Sequence, residues 1–255
     1  MKAIKIKELI VIPVMLVVWE ILSHLFDKPF FPGFLKSIAS LFEIMKTGII
    51  WEHMAASTYR IILGTLLGLL FSVPVGILLG TKKSIDDVLG QLFNILYPVP
   101  KVVFLPVIVV IMGIGDFPKI FLIALVLFFQ LTIVIRDSAK SLPDNLYDSM
   151  KSFDANGLQF LCHLVIPGCM PDIMTSVRSS IGISTAMLFI TENFAASKGL
   201  GYYITKCMDS RDYNNMYAGV IMLGLLGVVL YGMIGLLENS LCRWKTLETK
   251  HIAEN

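Results

Sequence analysis

Residues 61–80 read IILGTLLGLLFSVPVGILLG, without one charged side chain. A helix of about 20 apolar residues crosses roughly 30 Å of hydrocarbon, so this stretch reads as a membrane span. Within it Gly64, Gly68, Ser72, Gly76 and Gly80 recur at every fourth position. That spacing lines small residues along one slowly drifting helix face, where a second backbone can come close. The pattern is read as helix packing. Pro74 lies in the same helix and leaves a carbonyl that a neighbour must satisfy.

The rest of the chain has the same character. Of its 255 residues 56% are hydrophobic and 16% charged, and the mean hydropathy is +0.76. A soluble domain carries about a quarter charged residues. The apolar residues come in long runs, and six of these are expected to span: 9–26, 61–80, 88–115, 120–135, 173–196 and 214–237. The fold class is therefore an all-α, multi-pass membrane protein in contact with lipid, with one transmembrane domain over 1–255. Residues 27–57 form a connection with an expected interfacial helix near 37–46, and residues 138–172 are the most polar stretch. A net charge of +2 excludes a strong basic field, and with it nucleic acid as a partner. Cys162, Cys169, Cys207 and Cys242 lack metal-ligand spacing, so no metal is expected. No phosphate-cradling G-x-x-x-x-G-K-[ST], H-E-x-x-H or G-x-S-x-G sequence occurs.

Sidedness follows from Lys and Arg. Lys2, Lys5 and Lys7 precede the first span, which reads as a retained anchor because no small-residue cleavage site follows Phe26. With the N-terminus inside, cytoplasmic segments carry eleven basic residues against seven outside, so both termini are expected in the cytoplasm. Residues 138–172 then lie on the cytoplasmic side.

Charges and prolines within spans mark the candidate pathway. Pro98, Pro100 and Pro106, with Lys101 among them, each remove a donor and disfavour helix just upstream. Either the third span starts after Lys101 with the prolines at the surface, or the helix breaks beside the pathway. Arg178 reads as a snorkelling residue near the cytoplasmic end of its span. Glu192, at the outer end of the same span, fits a water-exposed terminus and a gate equally. Arg60 reads as an interfacial anchor.

The polar stretch carries the most specific signal. Residues 144–160 mix charge with Leu146, Met150, Phe153 and Leu158 as in a short amphipathic helix, and Pro167 is expected to stop the chain before Pro171 opens the next span. This region resembles the cytoplasmic E-A-A-x(3)-G-x(9)-I-x-L-P loop of the inner-membrane permeases of binding-protein-dependent ABC transporters. Asp148 takes the Glu position, Ser149 and Met150 the Ala positions and Asp154 the Gly position, and Leu164, Ile166 and Pro167 close the motif. Gly157 lies near enough to lend flexibility to a turn whose glycine is replaced. The subgroup for sulfonates, taurine and nitrate is similar over about residues 30–205. The matching elements are Phe31-Pro32-Gly33, Thr58-Tyr59-Arg60 through Gly80, Tyr97–Pro106, Gly113-Ile114-Gly115 through Phe121, and Glu192 with Ser197-Lys198-Gly199-Leu200-Gly201-Tyr202. Gln130 stands where that subgroup often has proline.

The resemblance implies a translocation subunit of the bacterial inner membrane. It would be paired with a second copy or a paralogue, two ATPase subunits and an extracellular substrate-binding protein. ATP and Mg would sit on the ATPase and no cofactor on this chain. Coupling to the ATPase would fall to Asp148, Ser149, Met150, Lys151, Phe153, Asp154, Ala155, Gly157, Leu164, Ile166 and Pro167. The residues alone leave two other readings: a non-ABC carrier, and a membrane-embedded enzyme using Glu192 and Arg178.

Overall fold

The computed structural model describes residues 6–244; Lys2, Lys5, Lys245, Lys250 and His251 lie outside them. Every regular element among the described residues is helical. They are α1 (Ile6–Phe26), α2 (Phe34–Thr47), α3 (Ile49–Thr81), α4 (Lys83–Leu96), α5 (Lys101–Met112), α6 (Phe117–Lys140), α7 (Asp144–Ser152), α8 (Gly157–Glu192), α9 (Leu200–Asp209) and α10 (Tyr213–Leu241). Four of them, α3, α6, α8 and α10, are long and apolar enough to cross a bilayer. The pair α4 and α5 counts as a fifth if taken as one span, and α1 adds a shorter apolar run, Val11–Phe26. This is a multi-pass membrane protein.

The chain divides into two compact units, one formed by residues up to 58 with 189–226, the other by 59–188 with those from 227 onward. In the second unit α3 and α6 lie backbone against backbone. A Cβ at Gly64 would come within 2.6 Å of Ile123, at Gly68 within 2.9 Å of Leu127, at Gly76 within 2.7 Å of Ile135 and at Gly80 within 2.5 Å of Ala139. Ser72, in the middle of the row, is fully buried. Between lipid-soluble helices the hydrophobic effect offers little drive to associate, so such contacts supply van der Waals packing in its place.

Three expectations are corrected by the backbone. The run 88–115 is two helices bent by 80°, because Pro98 and Pro100 fall together and neither can donate to the preceding turn. Helix thus extends well before Lys101, on both sides of the prolines. The segment 138–172 is mostly helix: α6 runs on to Lys140, and the helix expected over 144–160 splits, α7 ending at Ser152 and α8 beginning at Gly157. Pro167 does not stop the chain. A π turn at Leu161–Val165, closed by the Ile166 N–H on the Leu161 carbonyl, precedes it. That widened turn gives the proline ring room, and α8 continues through Pro171. The interfacial helix expected near 37–46 is α2, with Ser37, Leu41 and Ile44 on its buried face, whereas α9 was not anticipated.

The glycine contacts make a direct prediction. Gly76→Ala should destabilise the detergent-solubilised protein by about 1–3 kcal/mol, the usual cost of overpacking a fitted contact. Gly182→Ala, where nothing lies within 4 Å of the added carbon, should leave the thermal midpoint unchanged or slightly raised.

Candidate functional site

The second unit carries the motif between α6 and α8. α7 ends in a Schellman motif: the Ala155 N–H reaches the Met150 carbonyl at 3.2 Å and the Asp154 N–H the Lys151 carbonyl at 2.9 Å. Asp154 itself adopts φ 52°, the left-handed conformation that this cap requires at that position. Asp and Asn tolerate it better than other side-chain-bearing residues. The turn therefore forms with Asp154 where the related permeases have glycine, and Gly157, the first residue of α8, takes no left-handed conformation. Asn156 then opens α8 through a reciprocal cap, accepting from the Gln159 N–H at 3.0 Å while its own N–H reaches the Gln159 Oε1 at 2.8 Å.

Around this turn the side chains divide by exposure. Phe153 is 83% exposed and Leu158 71%, while Asp148, Ser149 and Lys151 are exposed and Met150 and Ala155 half-buried. Asp148 and Lys151 pair at 3.2 Å. On the inner side Tyr147 stacks on Phe160 with ring centroids 6.2 Å apart. Leu142 fills the space over Gly168, Ser138 Oγ donates to Asp172 at 2.6 Å, Leu164 is buried, and Ile166 and Pro167 are half-buried. α7 is thus held to the start of α8 through Tyr147 and Phe160, and the end of α6 to α8 through Ser138 and Asp172, while the Phe153 ring stands exposed at the cap.

The broken pair forms a second feature of the same unit. In a continuing helix the Leu96 carbonyl would accept from residue 100, which is proline. Instead it accepts from the Lys101 Nζ at 2.8 Å and the Val99 N–H at 3.2 Å, and Lys101 also reaches the Tyr97 carbonyl at 2.5 Å. The ammonium is buried, 4.6 Å from the Phe129 ring centroid. Pro98 and Pro100 are exposed and line a cleft of about 320 Å³ with Gln130, Ile183 and Met187. Pro106 sits in the first α-helical turn of α5, where a missing N–H costs nothing.

Two arginines within helices, Arg178 and Arg60, are ion-paired. Arg178 lies 3.0 Å from Glu238 and 5.4 Å from the Tyr231 ring, and Thr175 Oγ1 donates to the same carboxylate at 2.8 Å. Snorkelling is replaced by an internal ion pair. Arg60 is no interfacial anchor: at 4% exposure it reaches Asp116 through Nε at 2.8 Å and Nη2 at 2.5 Å. A cluster not anticipated from the sequence joins Asp86 to Arg136 and Lys140. Arg136 and Lys140 stand four apart at the end of α6, on one face, which was the available signal.

The first unit holds Glu192, 0% exposed. Its carboxylate accepts from Ser57 Oγ at 2.8 and 3.0 Å and from the Gly201 N–H at 2.8 Å. Ser57 in turn accepts from the Leu200 N–H at 2.8 Å, and His53 Nδ1 from the Gly199 N–H at 3.0 Å. Gly199, at φ 128°, lies directly on the carboxylate with no room for a Cβ. Glu192 is thus the buried clamp of the Ser197–Tyr202 turn, and the water-exposed reading falls. Of the sequence-identified residues, the structure brings together the α7 set and, separately, the proline set with Lys101. Glu192 and Arg178 have separate partners.

Glu192→Ala should lower stability by about 2–4 kcal/mol, because it strands the Ser57 hydroxyl and the Gly201 N–H without their acceptor. Glu192→Gln should lose less, since one amide oxygen still accepts. Thermal unfolding in detergent separates the two, and Gly199→Ala should fall with the alanine variant.

Comparison with known proteins gives this geometry a context. The taurine transport system permease protein TauC of Escherichia coli (strain K12) is 29% identical over 195 residues, 76% of this chain and 71% of that protein. The provisionally named aliphatic sulfonates transport permease protein SsuC of Bacillus subtilis (strain 168) is 27% identical over 94% of this chain and 87% of its own. Among solved structures, the MetNI methionine ABC transporter in inward-facing conformations superposes with a TM-score of 0.64 at 17% identity, covering 76% of this chain and 95% of that one. At that identity the likeness concerns the fold. Residues 72–242 match the family described as the inner membrane component of binding-protein-dependent transport systems. Two thirds of the sequence thus carry that pattern, and the chain belongs to this family of ABC transporter permeases, translocation subunits whose ATPase is a separate chain.

Proposed function

We propose that the chain forms the pathway of an ATP-binding-cassette importer for a small sulfonate-type anion, with α7 as the helix that couples it to the ATPase. Family membership implies an ATPase and a substrate-binding protein as partners. The finer assembly proposed is two ATPase subunits and a second permease copy or paralogue. ATP and Mg are held by the ATPase and no cofactor by this chain. In this reading 1–255 is one permease domain of the bacterial inner membrane with six spans: α1, α3, the bent pair α4–α5, α6, α8 and α10. Both termini and α7 face the cytoplasm. The broken pair at Pro98, Pro100 and Lys101 borders the pathway, and Glu192 and Arg178 hold its walls in place.

The observation that carries the proposal is the exposure of Phe153 on a rigidly capped turn between two membrane helices. A ring left in water gains up to about 2–3 kcal/mol on burial in a partner, and the turn leads directly into α8, against which Tyr147 stacks on Phe160. The sulfonate class rests on the named substrates of the relatives. The paired state of Glu192 and Arg178 gives no support to an enzyme built on them.

The test is reconstitution of the tagged chain with its co-purifying ATPase and binding protein in proteoliposomes. Uptake of a radiolabelled aminosulfonate should require ATP, and Phe153→Asp and Asp148→Arg should abolish it while leaving the melting temperature of the isolated chain unchanged. Normal uptake with normal ATPase attachment in both variants would overturn the coupling assignment; ATP-independent uptake would overturn the importer.

The backbone adds a finer expectation at the same turn. Asp154→Gly should retain transport and stability, since glycine adopts φ 52° without strain. Asp154→Val should cost at least about 1–2 kcal/mol, and the coupled ATPase rate should fall with it, because a β-branched residue resists the left-handed conformation.

A further inference from the structure

At the end of α1, within the first unit, a polar cleft of about 470 Å³ opens between the last turn of that helix, the strap 27–33 and the turn ahead of α10. The strap is held firmly. Trp19 Nε1 donates to the Pro32 carbonyl at 3.1 Å and Ser23 Oγ to the Phe31 carbonyl at 2.9 Å, and Tyr217 packs between the Trp19 and Phe31 rings at 5.7 and 6.1 Å. Two of its lining residues, Asp27 at φ 42° and Arg211 at φ 60°, are left-handed caps of helix ends: the Asp27 N–H closes α1 on the Ser23 carbonyl at 3.0 Å, and the Arg211 and Asp212 N–H groups close α9 on the Met208 and Cys207 carbonyls at 3.0 and 2.8 Å.

The charges around the cleft fall into two groups. Glu20 accepts from the Leu35 N–H at 3.1 Å at the start of α2 and lies 3.4 Å from His24. Asp212 accepts from the backbone and side-chain N–H groups of Asn215 at 3.3 and 2.7 Å at the start of α10. Both carboxylates are engaged by the fold. Lys28, Lys36 and Arg211 line the same cleft, and none makes an ion pair or side-chain hydrogen bond among the described residues; nor does Asp27. Three uncommitted cations and one uncommitted carboxylate therefore surround one space. The exposed apolar run of α1 ends at Phe26 beside it, and Phe31 and Tyr213 are among its lining, residue types that gather at a bilayer's headgroup level.

We propose that this cleft binds a small zwitterion, its tetrahedral oxyanion held by Lys28, Lys36 and Arg211 and its ammonium beside Asp27. A phosphatidylethanolamine headgroup and a free aminosulfonate share that chemistry. The lipid arm of the inference does not depend on the transport reading; the aminosulfonate arm takes its ligand from it.

The left-handed caps supply clean variants. Arg211→Gly and Asp27→Gly each remove a charge while placing glycine where φ is positive, so the fold should be retained; Lys28→Ala with Lys36→Ala removes two exposed cations. Full-length protein, delipidated in detergent, would be titrated by native mass spectrometry with short-chain phosphatidylethanolamine and phosphatidylglycerol, and by calorimetry with 2-aminoethanesulfonate. Arg211→Gly and the double lysine variant should weaken zwitterion binding roughly tenfold, the worth of a charge-assisted contact. Asp27→Gly should weaken phosphatidylethanolamine but not phosphatidylglycerol. Binding of the lipid alone assigns the cleft to the bilayer, and binding of the free aminosulfonate alone assigns it to a solute; either supports the proposal. Absence of both, or affinities unchanged in Arg211→Gly and in the double lysine variant, would overturn it.

Discussion

The contact of α3 with α6 is the constraint on which the second unit rests. Four glycines along α3 face Ile123, Leu127, Ile135 and Ala139 so closely that no Cβ fits without displacement. In water a helix pair associates by removing apolar area from solvent; in lipid that gain is absent, and close packing takes its place. Because α6 is fixed in this way, the position of Lys140 and hence the departure of α7 are fixed with it. The Asp86–Arg136–Lys140 cluster lies at that same end of α6 and ties it to α4, the first half of the broken pair. One helix contact thus sets both the turn offered to a partner and one side of the break.

Each interruption of helix is answered by a group that restores what was lost. Hydrocarbon supplies no water to an open carbonyl, so the Leu96 and Tyr97 carbonyls, left at the proline break, take the Lys101 ammonium. A lysine mid-span is read from sequence as a costly charge. Here its charge offsets the partial negative end of α4 and lies against an aromatic face. At the other interruption, outside the apolar runs, the Schellman cap and the Asn156–Gln159 exchange satisfy both helix ends within five residues. The first break bends its helices by 80°; the second joins α7 to α8 through a turn capped on both sides.

What the sequence made legible was governed by range. The uncharged run 61–80, the four-residue glycine spacing and the polar island around Asp148 are local patterns with one dominant physical cause each, and the helices lie where those patterns stand. Helix ends proved harder, because polar flanks such as 49–60 and 136–140 continue a helix beyond its apolar part at little cost. Pro167 misled for a related reason: its rule holds for a regular α-turn, whereas the chain places a π turn ahead of it. The pairings were the least legible. Ser57 and Glu192 are 135 residues apart, Arg60 and Asp116 56, Asp86 and Arg136 50, and one sequence carries no signal that joins them. Asp154 is the instructive case: a departure from the related motif in residue type that the backbone absorbs, because aspartate tolerates the left-handed turn glycine usually fills.

Those pairings bear on how a solute could be selected. Arg60 and Arg178 each already hold a carboxylate, Asp116 and Glu238, and would have to leave it to meet a passing anion. Lys101 has the same constraint from the other direction, since leaving the Leu96 and Tyr97 carbonyls would strip the end of α4 of the cation that satisfies it. A weak, transient contact with a solute does not repay such losses, and a strong one would hold the solute in the pathway. The arrangement therefore suits a subunit whose charges keep helices in register while the binding protein discriminates between solutes. In the reading proposed above, what is left for this chain is movement, passed through the corner at Phe153 that a partner can push.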